Sequence, residues 1–89
     1  MNTYKSLFQS FLKETICSYR CKNSYSQEYM AELLHITPRA YIDQEHGTYG
    51  FSALSFAFFL LAISEDEVLI FLKDFKSQIR NLEENNEVA

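Results

Sequence analysis

Backbone punctuation is scarce in this chain. It holds two glycines and one proline in 89 residues, and all three fall between residues 38 and 50. A β fold needs turn residues at each reversal, so this scarcity selects helices. Apolar residues make up 47% of the chain. That is enough for one small core without staples. The chain therefore reads as a single all-α domain over residues 1–83, with 84–89 as a frayed acidic tail.

Hydroxyl residues mark the helix starts. Ser26 stands just before Met30, Leu33 and Leu34, which follow at helical spacing. Its side chain can accept an orphan N–H of the first turn. Thr37-Pro38 restarts the chain, because proline at the first helical position loses no hydrogen bond. Gly47 can close that helix in a left-handed conformation. Ser52 caps an apolar helix, and Ser64-Glu65-Asp66-Glu67 is a capping box with acids at the positive end of the helix dipole. These signals predict helices near 2–21, 27–34, 38–46, 53–62 and 65–83.

Hydrophobic spacing supplies the faces. In the first helix Tyr4, Phe8, Leu12, Ile16 and Tyr19 form a stripe that Leu7 and Phe11 widen. The fourth helix is apolar nearly all round, so it must be covered by the last helix or by another subunit. In the fifth, Val68, Leu72, Phe75, Ile79 and Leu82 repeat at four-three spacing. That seam is too short to require a coiled coil, and packing on the first helix explains it equally well. Surplus apolar residues make a homodimer interface from Phe58, Leu61, Phe71, Phe75 and Ile79 the expectation.

Cys17 and Cys21 are four apart, which is not a redox CxxC, and no second ligand pair follows at zinc spacing. Reduced thiols in the cytoplasm are expected. Met1 to Lys5 lack the apolar stretch of a signal peptide, and the run from Phe56 to Ile63 is too short to span a bilayer. No spacing of His, Asp and Ser requires a catalytic triad, and no phosphate loop or HExxH occurs. Neither an enzyme, a metal, a cofactor nor a small-molecule site is expected.

Residues 20–64 as a set resemble the phage-repressor-like (XRE-type) helix-turn-helix DNA-binding family. The matching residues are Arg20, Ser26-Gln27, Ala31, Thr37 and Glu45-His46-Gly47. His35 stands where the family turn has a small residue, and Gln44 where the recognition helix is usually apolar. The resemblance implies a five-helix repressor-like domain with its helix-turn-helix at the second and third helices. It implies a sequence-specific transcriptional regulator of double-stranded DNA, with the helix near 38–46 in the major groove. Gln27, Thr37, Pro38, Arg39, Asp43 and Thr48 match positions that face DNA. Arg39 could read guanine or hold a phosphate, and Asp43 could accept from cytosine. The plainer readings are a first-turn residue for Gln27 and a solvated charge for Arg39. Tyr41 matches a buried position. Arg20 and Glu45 match a structural ion pair.

Charge favours a rival reading. Residues 1–50 carry five bases and five acids, and residues 51–89 carry three bases and seven acids. A neutral motif half is poorly suited to tight nonspecific duplex binding. The alternative is a protein-interaction module of the same fold that partners another regulator. A basic patch around Lys22 and Arg39 would favour DNA.

Overall fold

The computed structural model describes residues 3–86, with side chains through residue 85. Five helices and no strand occur among them. They are α1 (Thr3–Lys22), α2 (Gln27–Leu34), α3 (Pro38–Glu45), α4 (Ala53–Ala62) and α5 (Glu65–Asn86). The expected start of α1 at residue 2 lies outside the described residues. So do residues 87–89 of the expected tail, whereas Glu84 to Asn86 continue α5.

Each helix after the first begins on a hydroxyl. Ser26, Thr37 and Ser52 accept from the N–H groups of Tyr29, Ala40 and Ser55. Ser64 Oγ accepts from Glu67 N at 3.1 Å, and Ser64 N donates back to Glu67 Oε1 at 3.0 Å. This is the reciprocal capping box. The backbone bond from Ser64, first among its causes, holds the Glu67 carboxyl below its ordinary value.

The ends of α1, α2 and α3 share one geometry. Tyr25, Ile36 and Thr48 donate backbone N–H to the carbonyls of Arg20, Ala31 and Asp43. The preceding residues, Ser24, His35 and Gly47, are left-handed, with φ of 57°, 60° and 83°. Each is a Schellman ending, for which glycine is the relaxed choice. At His35 the backbone cost is offset by a stack on Phe58, with ring centroids 3.9 Å apart and planes 26° apart. The imidazole therefore takes the turn and caps one side of α4.

The core joins Leu12 and Ile16 of α1, Met30, Ala31 and Leu34 of α2, Tyr41 of α3, Phe51 before α4, Phe59 of α4 and Phe71 of α5. α2 packs on α3 and α4, while α1 packs on α5 and α3. The Cα radius of gyration is 13.8 Å, above the ~12 Å expected of a compact chain this long. The long α1 and α5 explain the excess. They run together far enough for Tyr4 Oη to donate to Glu83 Oε2 at 2.9 Å.

Three expectations about apolar surface change. Phe71 is not an interface residue: it is 4% exposed and packs on Phe11 and Phe56. Phe75 is half-buried and packs on Phe8 and Phe11. Ile79 too is half-buried. The inward seam of α5 is Val68, Phe71, Phe75, Ile79 and Leu82, with Leu72 turned outward. Second, Tyr4 stands exposed rather than in the core. Third, α4 is not covered all round. Phe58 is half-buried, but Leu54 and Leu61 are exposed, Leu61 at 79%.

A feature outside the hydrophobic pattern fixes the loop between α3 and α4. Gln9 on α1 donates through Nε2 to Phe51 O at 3.0 Å and accepts from Phe51 N through Oε1 at 2.7 Å. One amide thus satisfies both backbone groups of a buried residue. Gln9→Ala should therefore cost roughly 1–3 kcal/mol in a denaturant titration. Unchanged stability would mean that water replaces both bonds at no cost.

Candidate functional site

Glu45, the last residue of α3, gathers donors from three helices. Arg20 Nε reaches Oε2 at 2.8 Å and Nη2 reaches Oε1 at 3.1 Å. Gln27 Nε2 donates to Oε1 at 2.7 Å, and Tyr41 Oη donates to Oε2 at 2.6 Å. The remaining Arg20 nitrogen, Nη1, holds Tyr25 O at 3.1 Å. The side chains of Arg20 and Glu45 are 21% and 11% exposed, so the pair is mostly withdrawn from water. Burial alone would raise the Glu45 carboxyl. The bonds from Arg20, Tyr41 and Gln27 outweigh it and hold the group at about 2. Burial, followed by the bond to Glu45, pushes the Tyr41 hydroxyl up. Burial, with Glu45 nearby, pushes the Cys17 thiol up to about 11. Both Cys17 and Cys21 are free thiols. Such a high value keeps Cys17 protonated and a poor nucleophile.

The cluster is mechanical. It pins the C-terminal end of α3 to α1 and α2, so the N-terminal end of α3 is set in space by a charge-assisted network. It also alters one site expectation. Gln27 spends one amide N–H on Glu45, which turns its side chain into the cluster and leaves the second N–H, the amide oxygen and the backbone for an outside partner. The Tyr41 hydroxyl escapes sequence reading because an aromatic at a buried position looks purely apolar.

The outer face of α3 holds the other expected residues. Thr37, Pro38 and Arg39 are exposed at its N-terminal end. The Thr37 hydroxyl oxygen is the cap for Ala40 N at 3.1 Å, which leaves its proton able to donate. Arg39 is 84% exposed, and its Nε lies 3.6 Å from Asp43 Oδ2 one turn on. An exposed pair of this kind contributes only ~0.3–0.5 kcal/mol. It can exchange for another anion at little loss. Thr48 is exposed, with its backbone N–H tied to Asp43 O. Lys22 is not part of this face. It lines a groove of about 330 Å³ with Tyr19, Phe59, Ile63, Glu67 and Asp74.

Gln44 faces the loop rather than the core. Its Nε2 lies 3.5 Å from Gly50 O, and its buried Oε1 has no partner among the described residues. Gln44 thus serves the α3–α4 connection. Compared with known protein families, curated proteins and solved structures, the chain matches none.

Proposed function

We propose that the chain is a sequence-specific DNA-binding transcriptional regulator of the repressor-like helix-turn-helix type. In this reading α2 and α3 form the helix-turn-helix, and α3 enters the major groove by its N-terminal end. The observation that carries it is the two-sidedness of α3. Tyr41 and Glu45 anchor one side to α1 and α2, and Thr37, Pro38 and Arg39 stand bare on the other. A rigidly held helix that presents a cap hydroxyl and an exposed guanidinium suits base-edge reading. Two free cysteines suit work in the cytoplasm. No helix among the described residues is long and apolar enough to cross a membrane.

The regulator acts as a dimer, so that two copies of α3 read two half-sites. Its contact surface draws on exposed Leu61, Leu69, Ile70 and Leu72. The same apolar residues, with the neutral charge of the motif half, support the second reading, a protein-interaction module that partners another regulator.

Selection of bound fragments from a random duplex pool tests the proposal. On the selected duplex Arg39→Ala should cost roughly 1–3 kcal/mol and relax preference at one base position. An even loss across sequences would make Arg39 a phosphate contact. Absence of any duplex binding at low salt would sink the DNA reading in favour of the interaction module.

A further inference from the structure

We propose that the groove between α1 and the α3–α4 loop holds a backbone phosphate of the DNA duplex, with Lys13 and Lys5 as its cationic contacts. This rests on the DNA reading above and adds a phosphate contact outside α3. The groove has a volume of about 850 Å³. α1 contributes Lys5, Gln9 and Lys13 to it. Their spacing of four sets them one turn apart on one face. No carboxylate among the described residues lines the groove, although the chain carries a net charge of −4. Such a face is a local cationic field on an acidic protein, and phosphates are drawn to it.

Lys13 Nζ lies 3.4 Å from the point where a Cβ on Gly47 would stand. The ammonium is thus held against the turn that follows α3, one turn beyond Asp43. The loop wall is tied to α1 by the two hydrogen bonds between the Gln9 amide and the Phe51 backbone. A Cβ on Gly50 would come within 2.9 Å of the Gln9 side chain. The two glycines thus let α1 side chains pack directly on the loop backbone, and Tyr49 adds its ring to the lining. Arg39, at the N-terminal end of α3, and this groove, beside its C-terminal turn, then lie at opposite ends of the helix.

The test is the salt dependence of binding to a fluorescein-labelled, mixed-sequence duplex of about two helical turns. The variants are Lys5→Gln with Lys13→Gln, Lys13→Arg, and Arg39→Ala as a reference on the recognition helix. Loss of both lysines should reduce the slope of log K against log salt by ~0.9, the contribution of one neutralised phosphate. Lys13→Arg should retain the wild-type slope. Three results would overturn the inference. If the double variant binds with an unchanged slope while Arg39→Ala is impaired, the DNA reading stands and the groove is not part of it. If the double variant loses thermal stability but keeps its slope, Lys13 is only a cation at the end of α3. If inorganic phosphate at constant ionic strength shifts the amide signals of Gly47 and Gly50 while the duplex slope is unaffected, the groove takes small anions instead. A wild-type protein that binds no duplex removes the inference together with the reading beneath it.

Discussion

Arg20→Ala is expected to destabilise the fold by ~2–4 kcal/mol at neutral pH, because it leaves Glu45 mostly buried without its charge partner. Tyr41 and Gln27 would still donate to the carboxylate, which keeps the cost below that of an isolated buried charge. The pH dependence gives a second estimate. Glu45 falls from an ordinary 4.5 to about 2 in the folded chain. This difference corresponds to roughly 3 kcal/mol at neutral pH. Because the folded value is the lower one, the contribution is complete above the unfolded value of 4.5 and is lost as pH falls through about 2. Wild type should therefore keep this contribution down to pH ~5 and lose it progressively as pH falls toward about 2. In Arg20→Ala the carboxyl rises toward its ordinary value, so the acid loss at this site is smaller and is complete at a higher pH. Urea titrations of both proteins from neutral to acid pH check the expectation. Equal stability at neutral pH, or parallel acid profiles, would show that the ion pair contributes nothing net.

The cap residues made most of the fold legible. Ser26, Thr37-Pro38, Ser52 and Ser64-Glu67 each mark a helix start by a local bond, and local bonds survive in any tertiary setting. The α3 end was legible through Gly47 alone, whereas Ser24 and His35 adopt the same left-handed turn without a glycine to announce it. Those turns depend on contacts distant in sequence, such as the stack of His35 on Phe58. The candidate site divides in the same way. Arg20 and Glu45 were readable from spacing within a family pattern. The roles of Gln27, Gln9 and Lys13 were not, since each depends on which residue of another helix lies opposite. Gln27 turns inward because Glu45 has acceptor capacity left after Arg20. Gln9 matters because Phe51 has a backbone with no helical partner. Neither fact has a signature in the residue itself.

The seam of α5 shows how a one-residue choice in periodicity decides which side chain carries the fold. Spacings of four-three-four-three and three-four-four-three fit the same apolar run, and they differ only in whether Leu72 or Phe71 faces α1. The bundle takes Phe71 because its ring fills the space between Phe11 and Phe56, at centroid distances of 5.1 and 5.5 Å. A leucine one position on would leave that space partly empty. Phe71→Ala should accordingly cost ~3–5 kcal/mol, the range for a buried ring replaced by a cavity. Leu72 is 51% exposed, so Leu72→Ala in a monomer should change stability by ~0.5 kcal/mol or less. The comparison also bears on assembly. In a dimer built on Leu61, Leu69 and Leu72, the Leu72→Ala loss should grow with the share of dimer, and the melting temperature should rise with protein concentration. Light scattering gives the companion reading, with a mass near 10.5 kDa for the monomer and double that for the dimer. A Leu72→Ala cost as large as that of Phe71→Ala, at a monomer mass and independent of concentration, would mean that α5 is rotated about its axis from the packing described above.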